Sequence, residues 1–175
     1  MSIDNIPHEH QNILKGLQSE DSLKVIETLE KLRISGKASD IPLLIEMLHI
    51  SQNSEIKSKI TGLFDNLKES DAIPLIVEAI QNQKYAPELK ELVSSCWENG
   101  MDYSKYIALF VDLLIDNDLE VALEAYTVIM NTENKIDQAI IDREVEKLEK
   151  ALPSVSEQKR QLMLDAIDFL PAIGF

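Results

Sequence analysis

An eight-residue phrase returns along this chain, and it limits the fold more than any other feature. Ile41-Pro42-Leu43-Leu44-Ile45-Glu46-Met47-Leu48 comes back as Ile73-Pro74-Leu75-Ile76-Val77-Glu78-Ala79-Ile80, then as Ile107-Ala108-Leu109-Phe110-Val111-Asp112-Leu113-Leu114. A fainter copy is Ile141-Asp142-Arg143-Glu144-Val145-Glu146-Lys147-Leu148. Marked at the second position, the copies are spaced 32, 34 and 34 residues apart, and Ile6-Pro7 stands 35 residues before the first. A fixed period of that size is the signature of stacked supersecondary units.

Each copy reads as a helix. Ile41, Leu44, Ile45 and Leu48 fall at i, i+3, i+4 and i+7, one apolar stripe, and Ile73, Ile76, Val77 and Ile80 repeat it. Ile107, Phe110, Val111 and Leu114 do the same. Pro42 and Pro74 sit in first turns, where a missing N–H costs nothing, and Ser39-Asp40 and Ser70-Asp71 are expected to supply N-cap oxygens. A second stripe follows each phrase at a matching offset. Ile56, Ile60, Leu63 and Phe64 align with Leu89, Val93, Cys96 and Trp97, and with Val121, Ala125, Val128 and Ile129. Val25, Leu29 and Leu32 take these places upstream; Leu162, Ala166 and Phe169 are expected to take them downstream. Short polar connectors between such helices make antiparallel pairs, and pairs that cannot bury their own apolar faces must stack. The expected fold class is all-α: one domain over 1–175, an alpha-alpha superhelix (solenoid) of about five antiparallel helix pairs. The approximate repeats are 5–36, 39–69, 71–101, 104–133 and 137–170.

The period, the paired helices and the Ile-Pro-Leu-Leu/Ile-Ile/Val-Glu first helix resemble HEAT repeats over nearly the whole chain. The family's second helix commonly opens with an Asp-containing turn and a Val-Arg step. Here only Asp116 and Asp118 match the Asp positions, Lys57 and Lys90 stand where Arg is typical, and Ala122 replaces it. The repeats are therefore degenerate, and most of the Asp–Arg ladder between neighbours is missing. The resemblance implies a non-catalytic scaffold or adaptor that binds protein partners, with the second helices lining a concave face. By register Lys57, Lys90 and Ala122 form one line on that face, and Thr61, Ser94 and Tyr126 another. Small residues at Gly62, Ser95 and Thr127 are expected to permit close helix approach. Similar repeats also occur in DNA glycosylases and in bilin-lyase-related proteins, so a HEAT-like enzyme and an accessory subunit of a larger complex stand as alternatives.

Charge weighs among these readings. Thirty-one acidic against seventeen basic residues leave the 175-residue chain at −14. Nucleic-acid binding needs clustered Lys and Arg, so the glycosylase reading is disfavoured, and an anionic membrane surface likewise. A basic segment of a protein partner is the complement such a chain offers. Glu46, Glu78, Asp112 and Glu146 hold one position in successive first helices, a candidate carboxylate row, and 98–124 carries seven acidic residues against Lys105 alone. The lone cysteine fits a reducing compartment, and neither a signal peptide nor a membrane span is evident, so the expected location is cytoplasmic.

The residues with chemical potential have plainer readings. His8-Glu9-His10 places two imidazoles two residues apart, on different sides of a helix, which does not converge on a metal. Cys96 shares its register with Leu63 and Val128, and Trp97 with Phe64 and Ile129, which makes both packing residues. Asp116-Asn117-Asp118-Leu119-Glu120 lacks the glycine and terminal glutamate of a calcium loop, and Asp118 reads instead as an N-cap. His49 falls at a helix C-terminus, where partial positive charge suits the dipole. No cofactor, metal or catalytic residue is expected. The apolar tail 170–175 caps the last pair or docks elsewhere.

Overall fold

The computed structural model describes residues 8–175, and for 8–11 and Leu14 it describes the backbone alone. The Ile6-Pro7 opening and the side chains of His8-Glu9-His10 lie outside the described residues. Ten α-helices account for the described chain: α1 His8–Leu17, α2 Ser22–Ser35, α3 Ile41–Ile50, α4 Ser54–Asp65, α5 Ala72–Gln81, α6 Leu89–Glu98, α7 Ile107–Asp116, α8 Leu119–Met130, α9 Gln138–Ala151 and α10 Glu157–Phe169. Among the described residues there is no strand, and no helix is long and apolar enough to cross a membrane.

Two compact units divide the chain, Met1–Glu88 and Leu89–Phe175; the boundary falls inside the expected repeat 71–101. In the first unit α2 packs on α1 and α4, and α3 on α4 and α5. The stripes predicted from spacing are the buried ones: Leu29, Ile41, Leu48, Ile60, Phe64 and Ile76 are almost wholly removed from solvent. In the second unit α8 packs against α6, α7 and α10, and α7 against α9. Its core is centred on Leu92, Phe110, Leu114, Ile129, Ile141 and Leu148. Successive pairs thus meet odd on odd at α3–α5 and α7–α9 and even on even at α2–α4, α6–α8 and α8–α10.

Several local expectations need correction. Asp40 and Asp71 do not cap α3 and α5 with their side chains. A 310 turn at Ala38–Asp40 leads directly into α3, and Asp40 Oδ2 instead accepts from Lys37 N at 2.8 Å. Backbone carbonyls play the same part before α5, where Ile73 N donates to Ser70 O at 3.1 Å. Of the second helices, α2, α4, α8 and α10 begin on side-chain caps. Asn53 Oδ1 accepts from Glu55 N at 2.9 Å for α4, and Asp118 Oδ1 from Val121 N at 3.0 Å for α8. On α10 the buried apolar positions are Met163 and Ala166, and Leu170 is buried in the 310 turn that follows it; Met163 and Leu170 are one residue on from Leu162 and Phe169, which are half-buried. Gly62 has nothing within 4 Å of where a Cβ would stand, so it marks no close helix approach.

Buried charge ties the second unit together. Glu144 lies wholly buried on the apolar face of α9, with Arg143 Nε at 2.9 Å and Lys147 Nζ at 2.7 Å. Lys147 also reaches Asp112 on α7 at 2.6 Å. Burial works against the Lys147 ammonium, but hydrogen bonds to Asp112 and Glu144 carry its pKa above the usual lysine value. Lys159 on α10 is buried too and donates to Ile115 O and, at 2.7 Å, to Asn117 O, satisfying carbonyls at the C-terminus of α7. The tail docks locally. Phe175 N donates to Ile136 O at 3.1 Å and Ile136 N to Ile173 O at 2.9 Å, a single parallel bridge that closes the segment before α9. A Cβ on Gly174 would stand 2.1 Å from Gln138 Oε1, the end of an exposed side chain that would have to shift.

Candidate functional site

The residues assigned by register to the second helices fall in both units. In the first, Lys57 Nζ lies 3.8 Å from the buried carboxylate of Glu88, and Thr61, half-buried on α4, donates to Ser58 O at 3.0 Å. In the second, Lys90 on α6 is exposed and donates to Glu120 on α8 at 2.9 Å, while Ser94 is half-buried. Tyr126 on α8 is half-buried, and burial followed by the facing Asp165 of α10 raises its phenol pKa. Ala122 does not belong to a surface line: it is fully buried.

The outward side of α8 is the unexpected part. Its core face is Val121, Ala122, Ala125, Val128 and Ile129. On the opposite side, Leu119 is 40% exposed and Leu123 is 47% exposed, with Met130 half-buried in line beyond them. Leu119 and Leu123 are four residues apart, so they share one side of the helix. Glu120 and Glu124 flank this apolar strip toward α6, where they meet Lys90 and the indole N–H of Trp97, the latter at 2.8 Å. Trp97 is therefore half-buried and hydrogen-bonded, not enclosed like Phe64 and Ile129 with which it aligns. Tyr126 and Asp165 form the flank toward α10. Helix α8 thus has apolar residues on two sides, separated by Glu120 and Glu124, where a helix packed on one side alone needs a single apolar stripe.

The carboxylate row is less available than its sequence suggests. Glu46 is held by Lys84 and accepts from Tyr85 OH at 2.9 Å, and these contacts draw its pKa below the usual value. Asp112 is paired with Lys147, Glu146 with Lys150, and Glu78 is exposed. Two acids of the stretch 98–124 are likewise answered from outside its own window, Glu120 by Lys90 and Asp112 by Lys147.

Two further clusters were not anticipated. At the C-terminus of α3, His49 Nδ1 meets the buried Glu88 at 2.9 Å, and the His49 and Tyr85 rings cross edge to face at 5.6 Å. Lys84 lies over the Tyr85 ring at 5.2 Å. The helix-end placement of His49 was legible; its carboxylate partner, 39 residues away, was not. In the second unit a cavity of about 260 Å³ opens beside Cys96, Trp97, Asp102, Tyr103 and Glu133. Burial pushes the Cys96 thiol up to about 12 and raises the Tyr103 phenol as well. A thiol so disfavoured as thiolate is a packing residue, not a nucleophile. Among the described residues no group of three or more His, Cys, Asp and Glu is placed to hold a metal ion.

No protein-family model matches this chain, and no curated protein does. Solved structures do, among them the crystal structure of an engineered protein from the Northeast Structural Genomics Consortium. It is 20% identical, with a TM-score of 0.46, and the match covers 93% of this chain and 79% of that one. A likeness at that level describes neither activity nor partner.

Proposed function

We propose that this chain is a non-catalytic interaction module, a scaffold or adaptor of the alpha-alpha superhelix type with degenerate HEAT-like repeats. The observation that carries the reading is the apolar outward side of α8, where Leu119 and Leu123 remain 40% and 47% exposed. Covering the exposed part of one such leucine contributes about 1 kcal/mol to the binding of a partner there. Layering of odd-numbered on odd-numbered and even-numbered on even-numbered helices supports the repeat reading, because it is how stacked pairs bury their faces. The acidic balance supports a protein partner over nucleic acid or an anionic membrane. A cytoplasmic location belongs to the same proposal and rests on the single, buried cysteine.

The test is paired affinity capture from native lysate, using wild type, the Leu119→Ser/Leu123→Ser double variant, and a Ser54→Ala/Ser58→Ala control on α4. The reading expects a specific protein retained by wild type and control and lost by the double variant. The same proteins retained by all three, or a catalytic turnover that disappears with the leucines, would contradict it.

A further inference from the structure

The interaction reading leaves the occupant of the α8 strip open, and the charges around that strip narrow it. We infer that the outward side of α8 docks a basic amphipathic helix of a partner protein; this rests on the interaction-module reading above. Three observations converge. The strip is apolar and runs along a twelve-residue helix, about 18 Å, the length of roughly three turns of a second helix laid beside it. Its two leucines stand four residues apart with Met130 in line beyond them, a spacing that can receive i, i+4, i+7 anchors from a helical ligand.

The rim carries exposed acids on both sides: Glu91 and Glu98 of α6 on one flank, beside Glu120 and Glu124, which already meet Lys90 and Trp97, and Asp168 of α10 on the other, beside Asp165, which faces Tyr126. Against these, the cations on the neighbouring helices are already engaged: Lys90 with Glu120, Arg160 near Glu157 at 3.6 Å, and Lys159 with the α7 carbonyls. The second unit as a whole has eight basic residues against seventeen acidic, a net of −9, whereas the first has nine against fourteen, a net of −5. A ligand with an apolar face and lysines or arginines on both shoulders complements this surface. An acidic helix meets like charge on both rims. An extended peptide would set successive side chains on opposite sides and leave half its anchors away from the strip. A second copy of this chain would bring the same excess of carboxylates against itself.

The probe is a fluorescein-labelled fourteen-residue helical peptide with leucines at i, i+4, i+7 and i+11 and lysines on both shoulders. Its controls are the same composition scrambled and the same helix with glutamate for lysine. Binding is read by anisotropy and by the fluorescence of Trp97, the chain's single tryptophan, which contacts Glu124 at the rim. The account expects saturable binding, at least tenfold weaker for the scrambled and glutamate peptides and for the Leu119→Ser/Leu123→Ser variant, and strongly weakened by 0.5 M salt. Both substitutions are at exposed positions, and an unchanged thermal midpoint shows that the variant is folded. Equal affinity for the scrambled peptide, or for the leucine variant, overturns the inference. So does sedimentation showing that the leucines hold a homodimer, or leucine-dependent binding to phosphatidylserine vesicles. A lysate partner that depends on Leu123 while the basic helix fails to bind would remove this occupant and leave the interaction reading standing. If no lysate partner depends on Leu123 either, both fall.

Discussion

Helices α4 and α8 are built alike and finished differently. Both have twelve residues, both start on an Asx cap, and their buried stripes coincide at Ile56, Ile60 and Phe64 against Val121, Ala125 and Ile129. Facing outward, α4 carries Ser54, Ser58, Gly62 and Asp65; at the same positions α8 carries Leu119, Leu123, Thr127 and Met130. The stripe that builds the unit is thus held constant while the opposite side changes from polar to apolar. Packing within a unit explains the first set and says nothing about the second, so the second is where an external partner is to be sought.

The comparison breaks first if the shared stripe is not equivalent. Phe64→Ala and Ile129→Ala each empty a fully buried site, with an expected loss of about 3–5 and 2–5 kcal/mol in chemical denaturation. A loss below 1 kcal/mol at either would mean that the two stripes do different work. The caps come next. Asn53→Ala and Asp118→Ala should each cost about 1 kcal/mol, read the same way, because each leaves amides in the first turn without an acceptor.

The outward sides should matter least to folding. Ser58→Leu and Leu123→Ser are expected to stay within about 0.5 kcal/mol of wild type, while only the second alters binding. A large stability loss for Leu123→Ser would mean that its exposed side chain is a core residue after all. One effect separates the first unit by pH. Lys84 and then Tyr85 hold the Glu46 pKa below its reference of 4.5, so its contribution is present above that pH and lost as pH falls through the lowered value. Glu46→Gln should flatten that acid-side decline, seen by comparing denaturation midpoints at neutral and acid pH, and an unchanged slope would show that these contacts carry no stability.

Much of the fold was legible because a helix that buries one side must repeat its apolar residues at i, i+3, i+4 and i+7, and those of α3, α5 and α7 do so without interruption. Legibility failed where partners came from far along the chain. The fourth copy carries Glu144 on its stripe, and its pairing draws on Lys147, which also spans to Asp112; the burial of Lys159 rests on carbonyls 42 and 44 residues earlier, which no local pattern shows. The caps of α3 and α5 were misjudged because a serine-aspartate pair before a proline fits a side-chain cap and a 310 lead-in equally well. The residues chosen by register, Lys57, Thr61, Lys90, Ser94 and Tyr126, fall in both units, and comparing repeats for likeness passed over Leu119 and Leu123, which mark α8 by their difference.

The most direct test of the α8 assignment is photo-crosslinking from the two equivalent positions in living cells. A benzophenone amino acid replacing Leu123 should give a discrete adduct with another protein, and the same group replacing Ser58 on α4 should give none. Adducts of equal yield from both positions, or from Ser58 alone, or from neither, would contradict the account.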